Sequence, residues 1–590
     1  MAFLSSNEAI AQGAWEAGTH IGVAYPGTPS TETMETFAEK DGVYAEWAPN
    51  EKVAVEVAVG ASAGGARVLA TMKHVGVNVA ADPLFTASYT GVNGGMLVMA
   101  ADDPGMHSSQ NEQDSRFYAQ AARIPIFEPS SSEEAYRFAK DAFELSERFD
   151  TPFMIRTTVR TSHAKTLVET GERTEVPVKP YQKDPAKWVM MPAFAKPRRI
   201  EQDKRIAALR AWIEDCPYNE VQMRGTDIGV ICSGAAYQYV RDALPNASVF
   251  KLGIAWPVPA QALRNFAARV DAVYAIDEAS EYLSQQVKAL GIPVAQTENP
   301  LPPNGELSPL KIAHAFGMAE PEHEQTPDDI PNRPPAFCAG CPHRVVFKEL
   351  SRLRAIVTGD IGCYTLGALP PLSGMDTTLC MGASVSMAHG FELAMAGTEH
   401  RPIVGVIGDS TFAHSGLTSL LGTAYNDGAG TICILDNRTT AMTGQQGNPC
   451  NGITLQHRPS RELNIERVVR ALGIDDVRTV NPHDVEAVRT TLKSAVSNDD
   501  LTVIVFRSPC VLLDKKNKKA PYEVGDCTAC GVCISIGCPA LSREPETGRA
   551  FIDPDACNGW GHIGPNCAHP DRNGCGDCAQ YCRYDAIHQR

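Results

Sequence analysis

The sequence predicts an α/β fold: several domains of doubly wound parallel sheet, followed by a small α+β domain at the C-terminus. Three observations predict it. Short apolar runs alternate with helical stretches over most of the 590 residues, the pattern of a parallel sheet flanked by helices. Two unpatterned, proline-bearing stretches interrupt the alternation, at 165–200 and 319–335. Nine of the 18 cysteines fall after residue 526.

In order along the chain, "HIGVAYPG", "RVLATM", "GGMLVMAADDP" and "TPFMIRTT" read as strands of a first domain, 1–165, with a helix from Glu51 to Gly65 between the first two. Residues 165–200 have no hydrophobic period and read as a linker. "DIGVICSG", "ASVFKLG" and "DAVYAIDE" are the strands of a smaller α/β domain, 201–318. "AEPEHEQTPDDIPNRPP" is acidic and Pro-rich, so it marks a boundary. "AIVTGD", "RPIVGVIGDS", "GTICILDN" and "LTVIVFRS" are the strands of a third α/β domain, 336–515. The charged spacer "DKKNKKAPYEVGD" leads into the cysteine-rich domain, 520–590.

Composition removes several function classes. The net charge of −16 argues against a nucleic-acid binder, which carries a basic face. No signal-peptide pattern opens the chain, and no run approaches the length of a membrane span. Disulfide frameworks belong to small secreted domains, so Cys-x-x-Cys pairs here favour metal or cluster binding in a reducing cytoplasm.

The tail reads Cys527-x2-Cys530-x2-Cys533-x4-Cys538-Pro539, then Cys557, Cys567, Cys575, Cys578 and Cys582. Two-cluster bacterial ferredoxins use C-x2-C-x2-C-x3-C-P twice, and the fourth cysteine of each run ligates the other cluster. The first run is longer by Gly537. In the second, "CNGWGHIGPNCAHPDRNGC" separates Cys557 from Cys575, and Arg583 stands where proline is expected. The simplest assignment gives Cys527, Cys530, Cys533 and Cys582 to one 4Fe–4S cluster. Cys538, Cys557, Cys575 and Cys578 take the second, with Cys567 spare or competing with Cys557. A zinc site is the alternative for a thiolate group, but zinc has no use for eight or nine interleaved thiolates.

"VIGDS" ends a strand at Gly408-Asp409-Ser410, and "ILDNRTT" ends the next, placing Asn437 28 residues after Asp409. Ligands of α/β sheets bind at such carboxyl ends. Two hard oxygen donors there suit Mg²⁺ bridging to a diphosphate, and the helix after Ser410 points its N-terminus at the same place.

This stretch resembles the thiamine-diphosphate motif GDG…N, with Ser410 in place of the second glycine. "YPGTPS", "NEKVAVEV", "MKHVGVNVAADP", "DDPGMHSSQNEQDSR", "FCAGCPHR", "GDIGCYTLG", "GDSTFAHSG" and "LDNRTTAMTGQQ" are similar, in order, to signatures of the indolepyruvate ferredoxin oxidoreductase alpha subunits, within the thiamine-dependent 2-oxoacid:ferredoxin oxidoreductases. The resemblance spans nearly the whole chain. It implies a pyrimidine-binding first domain, a transketolase C-terminal-like second domain, a diphosphate/Mg-binding third domain and a two-cluster ferredoxin-like tail. It also implies oxidative decarboxylation of aryl-2-oxo acids with coenzyme A, ferredoxin reduction and a smaller beta (gamma-type) subunit in a hetero-oligomer. A non-oxidative 2-oxo acid decarboxylase is the alternative enzyme, and branched 2-oxo acids are the alternative substrates; an electron-transfer subunit with a vestigial thiamine fold is the alternative class.

Residue by residue, Glu51 matches the family's glutamate against the aminopyrimidine ring. Glu56 is the fallback, and Gly60 and Gly76 fall at glycines of related enzymes. Thr28 matches a threonine contacting the substrate carboxylate. Asp409, Asn437 and the Thr439 carbonyl match the Mg²⁺ ligands. Gly408, Ser410, Gly382, Ala383 and Ser384 join Asp409 and Asn437 as cofactor-binding positions. Cys338, Cys341, Cys363 and Cys510 match a cluster proximal to thiamine, which spacing alone does not show. Among His74, His107, His343, His389 and His414, near these motifs, His74 and His107 are the candidates for pocket roles. Cys216, Cys232, Cys380, Cys433 and Cys450 read as structural.

Overall fold

The computed structural model describes residues 1–318, 327, 329–330, 334–397, 401–513, 519–559 and 575–590. The chain divides into two units, Met1–Gln325 and Thr326–Arg590.

In the first unit the apolar runs form Ile21–Ala24, Val68–Lys73, Met96–Asp102 and Phe153–Thr158. Each is bounded where its hydrophobic run meets Gly, Pro or a polar turn. They sit in a seven-stranded sheet whose order is Ile254–Trp256, Ile126–Phe127, Phe153–Thr158, Met96–Asp102, Val68–Lys73, Ile21–Ala24, Tyr44–Trp47. All neighbours are parallel except Ile254–Trp256. The expected strands omit Tyr44–Trp47 and Ile126–Phe127. The first is a four-residue edge strand with a glutamate in it, and the second has two residues, so neither carries a readable period. The chain runs from Ile21–Ala24 outward to Tyr44–Trp47, then crosses back to Val68–Lys73. The strand order therefore reverses between Ile21–Ala24 and Val68–Lys73, and a crevice opens at such a reversal.

Two expectations differ from what is found. Residues 165–200 are not a bare linker: Lys165–Val168 pairs antiparallel with Ala2–Ser5, and the helix Pro192–Ile213 begins there. Nor do residues 201–318 form a sheet of their own only. Three of their strands make a parallel core (Ala272–Ile276, Ile228–Ser233, Ser248–Leu252) with Glu220–Gln222 antiparallel at the edge, but Ile254–Trp256 joins the first sheet. Backbone pairing and burial on the first sheet override the sequence boundary.

The second unit carries a six-stranded, wholly parallel sheet in the order Thr377–Thr378, Ile356–Gly359, Ile403–Gly408, Thr431–Asp436, Thr502–Arg507, Val477–Val480. Its reversal lies between Ile356–Gly359 and Ile403–Gly408. The tail adds two antiparallel ribbons, Tyr522–Val524 with Ile587–Gln589 and Leu541–Arg543 with Ala550–Ile552. Tail side chains Tyr522, Ile536, Leu541, Tyr581 and Ile587 share one hydrophobic core with Val345, Phe347, Val488 and Leu492 of the sheet domain. Buried polar ties reinforce it: Tyr581 Oη donates to Glu349 Oε1 at 2.6 Å, and His483 Nδ1 pairs with Asp577 Oδ1 at 3.0 Å. Among the described residues no helix is long and apolar enough to cross a membrane.

Candidate active site

The C-terminal ends of the first unit's strands gather Thr28, Glu51, Lys73, His74 and Asp103 around the reversal. Glu51 opens the helix Glu51–Ala63. Asn50 caps that helix, its side chain accepting from Val53 N at 2.9 Å. The cap fixes the Glu51 backbone, and the residue is 4% exposed. A Cβ on Gly76 would stand 2.7 Å from both Glu51 Cγ and Oε1, so glycine there is what lets the glutamate lie inward. Gly60 has open space beside it. Glu56 is exposed and ion-paired with Lys52, a solvated position.

Lys73 ends its strand buried, Nζ donating to Ser108 O at 2.9 Å. Burial lowers its ammonium to about 8, against the opposing charges of Asp103 and Glu51. Asp103 organises the next loop, accepting from His107 N (3.1 Å), Ser108 N (2.8 Å) and Ser109 Oγ (2.6 Å). Ser108 Oγ in turn donates to Thr28 O at 3.4 Å, which draws the Thr28 turn into the same group. His74 is fully buried with neither ring nitrogen bonded, and burial lowers its pKa. An orphaned neutral imidazole among these groups fits a site that takes up a polar ligand. The His107 ring, by contrast, is half-exposed, its Nε2 3.1 Å from Glu306 Oε2.

In the second unit, Gly408 ends its strand against the Tyr364 ring: a Cβ would lie 2.5 Å from Tyr364 Cε1. Tyr364 Oη is 3.0 Å from Thr411 Oγ1, tying the two strand ends that flank the reversal. After Asp409–Thr411 the helix widens to a π-turn at Phe412–Gly416, the form of bulge that concentrates at functional sites. His414 lies buried in that turn, its Nδ1 beside Ser415 Oγ at 2.5 Å. Ser410 Oγ accepts from Thr440 Oγ1 at 2.9 Å, so the serine binds the Asp409 turn to the Asn437 loop.

Asp409 is buried, accepts from Asn448 Nδ2 at 3.2 Å, and has no ion-pair partner among the described residues. Burial, followed by the Asp436 charge, pushes it up to about 7. One end of the Asn437 amide lies 3.1 Å from Asp409 Oδ1 and 2.8 Å from Thr439 O, and the other end lies 3.5 Å from His343 Nε2. With the nitrogen at the first end, it donates to both oxygens. With the oxygen there, it faces Asp409 Oδ1 and Thr439 O, hard oxygen donors of the kind Mg²⁺ takes, and the nitrogen points to His343 Nε2. A buried carboxylate without a cationic partner favours the second arrangement once a cation is bound. These residues fit Mg²⁺ with a diphosphate.

Gly382, Ala383 and Ser384 open the helix Ala383–Met395, and their backbone amides are taken within the protein. Asp360 accepts from Gly382 N (2.9 Å) and Ser384 N (3.0 Å), while Ala383 N donates to Cys380 O at 3.1 Å. This helix start is capped by the protein's own carboxylate, so these three amides are not offered to a ligand.

The cysteines gather, by electrostatic reach, at the edge of the second unit's six-stranded sheet and in the tail. Cys341 lies within electrostatic reach of Cys338 and Cys363, and Cys363 within reach of Cys510 and Cys338. Burial, then these neighbours, push Cys363 up to about 11. Topology explains the gathering. Cys363 and Cys510 follow strands at the carboxyl edge, and Cys338 and Cys341 precede the helix His343–Leu353, which starts at that edge. Cys510 N donates to Asn437 O at 3.0 Å. In the tail, Cys533 lies within electrostatic reach of Cys582, Cys527 and Cys530, and Cys578 within reach of Cys538, Cys557 and also Cys533. Cys575 lies within reach of Cys578 and Cys538. Amides point at sulfur: Tyr522 N to Cys557, Ala550 N to Cys527 and Ala586 N to Cys582, at 3.4, 3.4 and 3.3 Å. Such bonds hold and tune thiolates in iron–sulfur proteins. Among the described residues no three His, Cys, Asp or Glu side chains converge as on a single ion. A cubane binds each thiolate through a different iron, so its cysteines stand further apart than the ligands of one zinc. Cys567 lies outside the described residues.

Cys216, Cys232, Cys433 and Cys450 are buried, but Cys380 is exposed, so core packing does not account for it. His389 pairs with Glu392 at 3.5 Å, on the helix Ala383–Met395.

Two family models match: the thiamine diphosphate-binding domain of pyruvate flavodoxin/ferredoxin oxidoreductase over residues 12–208, and the C-terminal TPP-binding domain of thiamine pyrophosphate enzymes over 360–506. The indolepyruvate oxidoreductase subunit IorA of Thermococcus kodakarensis is 39% identical, covering 99% of this chain and 96% of that protein. The chain belongs to the IorA family. The IorA of Archaeoglobus fulgidus is 37% identical over 99% of this chain and 97% of its own length. A solved 2-oxoglutarate:ferredoxin oxidoreductase from Magnetococcus marinus overlaps 54% of this chain and 64% of its own at 17% identity, with a TM-score of 0.46. As an IorA-family member the chain is a subunit of a 2-oxo acid oxidoreductase, and the two thiamine-diphosphate matches fall on most of the seven-stranded and the six-stranded sheet.

Three residues of the chain carry no local signal of the contacts they make. Lys73 sits inside "MKHVG" and meets Ser108 O only through folding. Asn448, which donates to Asp409, lies 39 residues from it. Arg344, in "CPHR", is the third.

The Asp409 shift has a direct consequence. An Mg²⁺ ion ligated by Asp409 would have to displace a proton below about pH 7, so its affinity with thiamine diphosphate should fall about tenfold per pH unit below that point and level off above it. The raised carboxylate also makes the metal-free fold lose stability as pH rises from about 4 to about 7, and level off above that range. Calorimetric Mg²⁺ titrations and thermal melts of the metal-free protein across that range check the two in turn. A pH-independent affinity would remove Asp409 as a ligand.

Proposed function

We propose that this chain carries out the oxidative decarboxylation of aryl-2-oxo acids of the indolepyruvate and phenylpyruvate type, giving an aryl-acyl-CoA and CO₂ and passing electrons through 4Fe–4S clusters to ferredoxin. The observation that carries it is the contact of Cys510 N with Asn437 O: a cysteine group abuts the Mg²⁺-diphosphate donors within one unit. Thiamine diphosphate, when bound, supplies the nucleophilic carbon and the electron sink for loss of CO₂. Asp409, Asn437 and the Thr439 carbonyl would hold Mg²⁺, and Glu51 would present its carboxyl to the aminopyrimidine ring. Thr28 and the buried His74 would meet the substrate's carboxylate end. Cys338, Cys341, Cys363 and Cys510 would hold the proximal cluster, and the two tail groups a ferredoxin-like pair. Relatives bearing the name of a subunit support a hetero-oligomer with a smaller beta subunit. Reduced thiols suit the cytoplasm.

The experiment is anaerobic. The purified complex, with Mg²⁺, thiamine diphosphate and coenzyme A, receives 2-oxo acids singly while iron–sulfur absorption is followed. Bleaching by arylpyruvates alone is the expected result, and bleaching by branched 2-oxo acids would reassign the substrate. No bleaching with clusters intact and thiamine bound would leave a non-oxidative decarboxylase.

A further inference from the structure

Arg344 is one of the largest fully buried side chains of the molecule, at 1% exposure. Its guanidinium donates in two directions. Nη2 donates to Phe337 O (2.9 Å) and Cys338 O (2.7 Å), and Nη1 to Ile536 O (3.2 Å) and to Gly537 O. The first pair belongs to the Cys338–Cys341 loop, and the second to the loop between Cys533 and Cys538. All four acceptors are neutral carbonyls. Nε is buried without an acceptor, and no carboxylate pairs with Arg344 among the described residues. Asp577 lines the cavity beside it but is engaged by His483.

Besides these carbonyls the guanidinium has the Phe337 ring, whose centroid lies 5.8 Å away. A permanently charged group held by carbonyl dipoles and one aromatic face, with no counter-charge, is costly in a protein interior, where charges are paired. Its charge calls for an anion alongside. That same cavity is lined by Cys538, Cys557, Cys575 and Cys578, and by Ala339 and Gly340 of the first loop. The Arg344 charge reaches both Cys341 and Cys538. It therefore stands in the wall between the proximal group and the second tail group, each of which becomes anionic when its thiolates ligate a cluster.

We propose that Arg344 is a positioning residue shared by these two clusters: it holds their loops together and supplies the fixed positive charge that stabilises the reduced state of each. This rests on the reading that both groups hold 4Fe–4S clusters. In the transfer itself the proximal cluster is oxidised by one electron and the tail cluster reduced by one. No proton moves, because the arginine stays charged throughout. The electron's own charge is met by the guanidinium on either side of the wall.

The test uses the full chain with its partner subunit, purified anaerobically, as wild type, R344Q and R344K. Iron content and redox titrations followed by electron paramagnetic resonance are the readouts. R344Q can still donate to carbonyls but has no charge. It should lower the potentials of the proximal and second tail clusters by at least tenfold in the one-electron equilibrium, which is about 59 mV. The Cys527, Cys530, Cys533 and Cys582 cluster should move less, and R344K should stay near wild type. If R344Q loses iron, R344K decides: full iron with lysine supports the charge, and loss in both variants overturns it. Equal shifts in both, or unshifted potentials in R344Q with iron intact, also overturn it. A wild type lacking these clusters would instead defeat the underlying reading.

Discussion

Glu51→Gln is expected to bind thiamine diphosphate as the wild type does and to lose nearly all turnover, by about 10²–10⁴-fold, the contribution of a positioned proton-transferring group. Glutamine keeps the volume that packs over Gly76 and the helix start that Asn50 caps, so fold and cofactor binding should survive. The lost property is the carboxyl group that the proposed function sets against the aminopyrimidine. Thiamine diphosphate titration beside a turnover assay separates the two. Gly76→Ala should reproduce the loss by another route, since the added methyl occupies the space of Glu51 Cγ and Oε1. An active Glu51→Gln enzyme would move the role to a different carboxyl group, and Glu56, exposed and paired with Lys52, is poorly placed to take it.

Cys510→Ala should remove the proximal cluster, about one-third of the iron in a three-cluster chain, while leaving both tail groups. The substitution deletes a ligand without disturbing the bond from the residue's own amide to Asn437 O. Reduction of ferredoxin should fall with the iron, because the proximal cluster is the proposed link between the thiamine site and the tail. Iron analysis and the visible spectrum decide it. Unchanged iron per chain with an unchanged spectrum would take Cys510 out of the ligand set and with it the proximal cluster as assigned.

Strands with continuous apolar runs were legible because burial on both faces leaves no polar residue to break them: Ile403–Gly408, Thr431–Asp436 and Thr502–Arg507 fall within the runs that predict them. Tyr44–Trp47 and Val477–Val480 were not, since each lies at a sheet edge and carries polar side chains. Asp409 and Asn437 were readable from strand-end context, a local property. Lys73, Asn448 and Arg344 were not, because each acts on a residue or loop that folding brings to it. That Asp360, at a neighbouring strand end, takes the amides of Gly382 and Ser384 was likewise not readable, because the carboxylate lies more than 20 residues away in the chain.

The sequence by itself determined the α/β class, the cysteine tail and the order of motifs that marks an IorA-family chain, since periodicity, ligand spacing and short signatures are written along the backbone. Only the tertiary structure decided which side chains meet. Cys338 and Cys510 are 172 residues apart in the chain, and they come together because parallel strands and the helices between them present every strand end, and every helix start, at one edge of the sheet. The same geometry left Arg344 buried between two cysteine groups, a placement that no local pattern encodes.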